Sequence, residues 1–83
     1  MNRRQRRKAE RARDAYEAAC VADSEAYEAW RDAYACERAT RDEAWHAYEV
    51  TQRARSAAFI AYCDAFPALR ESAQRSGLYP NAQ

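Results

Sequence analysis

From residue 12 to residue 68 the chain places an alanine at every seventh position but one. Ala12, Ala19, Ala26, Ala33, Ala47, Ala54, Ala61 and Ala68 keep the frame, and Thr40 alone departs from it. The next column reads Arg13, Cys20, Tyr27, Tyr34, Arg41, Tyr48, Arg55, Tyr62 and Leu69. At about 100° per residue, Tyr16, Tyr27, Trp30, Tyr34, Trp45, Tyr48, Phe59, Tyr62 and Phe66 fall within an arc of about 100° on a helix. A seven-residue repeat of large rings among small alanines predicts helices that approach closely along one aromatic stripe, and these nine rings are the expected interface. The companion ring follows the tyrosine column by three residues early in the chain and by four later. That matches the drift of about 20° per heptad expected of a straight helix.

The stripe admits two architectures, both all-α. Residues 16–66 as one continuous coiled-coil helix would span about 76 Å and need a partner along the whole length. The preferred expectation is long amphipathic helices packed as an antiparallel helical hairpin that turns near Ala39–Asp42, doubled in a dimer. Thr40 to Glu43 reads TRDE, the spacing of a capping box. Asp23 in DSEA reads as a second helix start. The stripe also turns polar near Glu37, Arg38 and Arg41, and again near Gln52 and Arg55. Pro67 removes an amide and predicts a kink or stop near Phe66. A short C-terminal helix follows it, with Gly77 as its cap and Leu78 or Tyr79 folded back on the preceding helix.

Composition agrees with helices. There is one glycine, Gly77, and two prolines, Pro67 and Pro80, among 83 residues. Strand formers are scarce. No apolar run approaches the roughly 18 residues of a membrane span, and the start lacks the apolar stretch of a secretory signal. Cys20, Cys36 and Cys63 are odd in number and widely spaced, which argues against a disulfide framework or a zinc site. Reduced thiols in a cytoplasmic setting are the expectation, with each cysteine serving as a small packing residue.

Charge changes the picture more. Net charge is +1, but residues 1–13 carry seven basic side chains against Glu10, a net of +6. Residues 14–49 net −7 and residues 50–83 net +2. The chain divides accordingly into a basic arm (1–13), a helical body (14–76) and a tail (77–83). The candidate nucleic-acid-binding residues are Arg3, Arg4, Arg6, Arg7, Lys8, Arg11 and Arg13, because a cluster of arginines displaces counterions from a polyanion. Docking of the arm on the acidic stretch, or a purely solvating role, are the alternatives.

The pairs Arg3-Arg4 and Arg6-Arg7 flank Gln5 and precede a helix containing alanine and glutamate. In this the segment resembles the arginine-rich RNA-binding motif at the start of the lambdoid-phage N antitermination proteins. The resemblance implies that Arg3, Arg4, Arg6, Arg7, Lys8 and Arg11 grip the phosphates and bases of a hairpin RNA while the segment becomes helical. It covers about a sixth of the chain. Residues 14–66 depart from that family, whose members are otherwise largely disordered, by being patterned for packing.

Glu25, Glu28, Asp32, Glu37, Asp42, Glu43 and Glu49 read as the solvated face of an amphipathic helix, with Glu37–Arg41 and Glu49–Arg53 in the favourable i, i+4 order. The alternative is an imitation of a phosphate backbone. His46 has no second histidine, and neither a nucleophile–base constellation nor a glycine-rich phosphate loop is present, so no enzyme, metal or cofactor is expected. The expected function is that of a small non-enzymatic interaction protein, its arm contacting RNA or DNA and its body forming a homo-oligomer. A protein-binding inhibitor or adaptor, of the kind phages and mobile elements use against host machinery, is the alternative. A third expectation is an assembler that grows when the arm of one copy meets the acidic stretch of the next.

Overall fold

The computed structural model describes residues 2–79. Three helices follow one another: α1 (Arg3–Ala33), α2 (Arg38–Ala65) and α3 (Pro67–Arg75). α1 and α2 pack side by side as an antiparallel hairpin, and α3 packs on α2 but not on α1. None of the helices is long and apolar enough to cross a membrane among the described residues.

Rings hold the hairpin in register. Tyr16 meets Phe59 at 5.5 Å between centroids, Tyr27 meets Tyr48 at 5.6 Å, and Trp30 meets Trp45 at 5.2 Å. Tyr34 packs on Trp30, and Phe66 on Tyr62. All nine rings of the stripe therefore engage another ring. The offset and edge-on geometries suit the quadrupoles of the rings, which prefer them to a face-to-face sandwich.

The turn occupies Tyr34–Glu37 rather than Ala39–Asp42, closed by the Cys36 amide donating to the Ala33 carbonyl at 2.9 Å. Ring pairing explains the shift. A turn centred between residues 40 and 41 would set Trp30 opposite Thr51 and Tyr27 opposite Ala54, losing the ring layers for one capping box worth about 1 kcal/mol. Thr40 instead lies inside the first turn of α2, whose N-cap, Glu37, makes no side-chain capping bond. Nor does Asp23 start a helix: it sits in the middle of α1 and is 7% exposed. A reciprocal capping box does exist, at the other end of the helix. The Asn2 side chain accepts from the Gln5 amide at 2.8 Å, and the Gln5 side chain accepts from the Asn2 amide at 3.0 Å.

The C-terminal expectations hold where the structure describes them. Pro67 begins α3 after Phe66 leaves the helical region. Gly77 takes φ +74°, which glycine adopts without a side-chain penalty. The Leu78 amide then reaches the Ala73 carbonyl and the Gly77 amide the Gln74 carbonyl, the paired bonds of a Schellman cap. Tyr79 folds back so that its hydroxyl donates to Asp64 on α2 at 2.6 Å, with the Arg70 guanidinium 5.2 Å above its ring. The rest of the tail, from Pro80, lies outside the described residues.

Among the described residues the buried set is small: Ala9, Ala33, Cys63, Ala73 and Asp23. Cys63 is fully enclosed, whereas Cys20 is half-buried and Cys36 exposed.

Candidate nucleic-acid interface

The basic segment is helical and continuous with the body. Arg3 to Arg13 form the first three turns of α1, continuous with the ring-bearing part of the helix. Because the hairpin register runs from the turn, α2 ends level with this segment. α3 then turns back along α2, so the cation-bearing sides of the first turns of α1 stand free at the open end of the hairpin.

The cations are not spread evenly around the helix. With about 100° per residue, Arg3, Arg4, Arg6, Arg7, Lys8, Arg11 and Arg13 cover an arc of roughly 220°, leaving a gap of about 140° centred near Ala9. That gap is the face turned to the rest of the protein, and Ala9 is buried in it. Helical spacing opens the gap, and the fold assigns that side to packing and leaves the others to solvent.

Among the described residues, no ion pair involves Arg3, Arg4, Arg6, Arg7, Lys8 or Arg11. Arg13 approaches Asp14 at 3.8 Å in an exposed setting worth little energetically. α1 has no acid in its first turn. Positive side chains there oppose the helix dipole, whose N-terminal end is itself positive. Free amides, dipole and guanidinium groups thus sum to a positive field at one pole of the molecule. An anion placed there relieves both the dipole clash and the mutual repulsion of the arginines.

The opposite pole is acidic. Residues 25–49, which include the turn, carry seven acids against Arg31, Arg38 and Arg41. The expected pairs Glu37–Arg41 and Glu49–Arg53 do not form ion pairs. Arg38 approaches Asp42 at 3.9 Å, and His46 approaches Glu49 at 3.5 Å. These are exposed contacts, in keeping with a solvated face.

One pairing across the seam was not among the sequence expectations. Asp23 accepts from Arg55 Nη1 at 3.1 Å through Oδ2, and from the Thr51 hydroxyl at 3.1 Å through Oδ1. The Thr51 hydroxyl also lies 2.8 Å from the Tyr48 carbonyl, so its single proton serves one acceptor at a time. The hydrogen bond to Asp23, then one to Tyr16, raise the Arg55 pKa further above its already high value. The signal was present in the sequence. Asp23 is the one acid within the ring arc of α1, and Arg55 stands in the tyrosine column of α2. Beside the clamp lies an open groove of about 590 Å³, lined by Tyr16, Arg55, Phe59, Ile60 and Leu78 among others.

No protein family, curated protein or solved structure matches the chain.

Proposed function

We propose that this chain is a small, non-enzymatic helical interaction protein that contacts RNA or DNA through the open end of α1, with the hairpin body as its dimerising unit. The observation that carries this reading is the arc of seven cations on Arg3–Arg13, six of them without an acidic partner among the described residues. Binding of this kind rests on counterion release. With about six phosphate contacts, affinity should fall by roughly a thousandfold between 50 and 200 mM salt.

Truncation is a poor test, since it would remove Ala9 from the packed interior along with the charges. Replacing Arg3, Arg4, Arg6 and Arg7 with glutamine keeps the helix, the Asn2–Gln5 cap and the Ala9 contact. The variant should lose retention of hairpin RNA and duplex DNA probes at low salt. Equal retention by variant and parent would end this reading. A preference between the two probes separates RNA from DNA.

A second reading has its own observation. Tyr27, Trp45 and Tyr34 are 44%, 41% and 66% exposed, clustered toward the acidic turn. Rings with wet edges beside carboxylates suit a basic protein surface, as an inhibitor or adaptor would need. A stoichiometric protein partner that survives nuclease treatment and is lost on Tyr34→Ala would favour it over nucleic-acid contact.

A further inference from the structure

The hairpin is short of buried surface for its mass. Its accessible area is 6596 Å², against about 5,100 Å² for a compact monomer of 9.6 kDa. Its radius of gyration is 15.9 Å, where about 12 Å is usual for this length. The excess of about 1,500 Å² is larger than the roughly 800 Å² each partner gives to a stable dimer.

Exposed apolar side chains are not spread evenly over the surface. In an antiparallel pair of helices, residues displaced to the same rotational side of each seam lie on the same face of the hairpin. On one face, α3 and Leu78 cover part of α2, and the remainder is polar, with Arg13, Ser24 and Arg31 on α1 and Arg38, Glu49 and Ser56 on α2. The other face is apolar across both helices. Ala15, Ala22 and Ala29 project from α1, and Ala47, Ala54 and Ala61 from α2, all exposed. Val50, 63% exposed, stands at its edge, and the half-buried rings of Trp30, Tyr48 and Tyr62 form its floor.

Charge on this apolar face and its outer edges has opposite sign on the two halves of the hairpin. Arg4, Lys8 and Arg11 lie at the open end, and Glu25 and Glu43 toward the turn. The whole molecule repeats the pattern: residues 25–49 net −4, and the rest of the chain nets +5. A parallel copy would set like charge on like at both ends. An antiparallel copy sets the basic open end of each chain against the acidic turn end of the other.

We propose that the apolar face is covered by a second copy of this chain in antiparallel orientation, giving a two-fold symmetric four-helix assembly with one basic helix end at each pole. The small side chains let the facing helices come close, and the rings beneath fill the space between them. Self-complementarity is what a two-fold interface demands, and a surface that is positive at one end and negative at the other supplies it. The proposal rests on the dimerising body of the functional reading, which it specifies, and is independent of what the basic ends bind.

Sedimentation equilibrium of the full chain, free of nucleic acid, tests it. The expected mass is about twice 9.6 kDa, and the dissociation constant should rise several-fold from 50 to 500 mM NaCl as the end charges are screened. The Ala22→Arg/Ala54→Arg variant should sediment as a monomer with undiminished circular dichroism, because both sites are exposed in the hairpin. Glu25→Lys/Glu43→Lys should weaken association at low salt. A monomer at every salt concentration, or a dimer that tightens as salt rises, would overturn the proposal, as would an arginine variant that dimerises like the parent. Since no polyanion is present in this measurement, a parent chain that dimerises but retains neither probe refutes only the nucleic-acid reading, and a monomeric parent that retains a probe refutes only this one.

Discussion

Arg55 donates to Asp23 across the hairpin seam at 3.1 Å, and the two partners are unequally buried: the Arg55 side chain is half exposed, the Asp23 side chain 9% exposed. Removing either one therefore has different consequences. Arg55→Ala strands a buried carboxylate that keeps only the Thr51 hydroxyl, and should cost about 2–3 kcal/mol. Asp23→Ala leaves a guanidinium that can turn to water, and should cost about 1 kcal/mol. Urea denaturation of the two variants checks the order. A larger loss for Asp23→Ala would mean the pair does not act as a clamp closed from the α2 side.

The same arginines that suit a polyanion strain the helix that carries them. Replacing Arg3 and Arg4 with glutamine should stabilise the fold by about 0.3–1 kcal/mol per charge at low ionic strength, with the gain fading as salt rises. Thermal melts at 20 and 500 mM salt would show it. Destabilisation at both concentrations would indicate that these side chains have partners in the native state.

Gly77 should be replaceable only at a cost. No atom lies within 4 Å of the position a Cβ would take, so crowding contributes nothing and backbone strain at φ +74° contributes everything. Gly77→Ala should lose about 1 kcal/mol, or roughly 4–8 °C in melting temperature for a domain of this size. An unchanged melting temperature would mean that the α3 cap and the Tyr79 return do not contribute to the cooperative unit.

Alkaline pH should loosen the α2–α3 junction. Burial, with a further push from Asp64, raises the Cys63 thiol above its usual 9.0. The hydrogen bond to Asp64, then desolvation, raise the Tyr79 hydroxyl above 10.0. Both folded-state values are raised, so the neutral forms are the stabilising ones. Their contribution is whole below pH 9 and drains away as pH climbs through the raised values. The melting temperature should hold from pH 7 to 9 and decline above 10, less steeply in Tyr79→Phe. In the native protein an alkylating agent should modify exposed Cys36 first and reach Cys63 only on unfolding. Equal rates at Cys36 and Cys63 would contradict the enclosed site.

Local periodicity was enough to read the helices, the ring stripe, the stop at Pro67 and the cap at Gly77, because each follows from the spacing or backbone preference of residues close in the chain. Where the chain turns was not legible in this way. Thr40–Glu43 and Asp23 carry the marks of helix starts, yet pairing Trp30 with Trp45 and Tyr27 with Tyr48 buries more than a cap stabilises, so the turn moved to Tyr34–Glu37. Tertiary structure also gave two polar interruptions of the stripe different meanings. Glu37 closes the turn and Arg38 and Arg41 open α2 just after it, whereas Arg55 answers Asp23 from the opposite helix, a partnership 32 residues apart that no local spacing encodes. The basic segment was plain from composition. That it forms the first turns of α1 with one face packed at Ala9 depended on the end of α2 reaching it, and that level is fixed only once the rings have set the register.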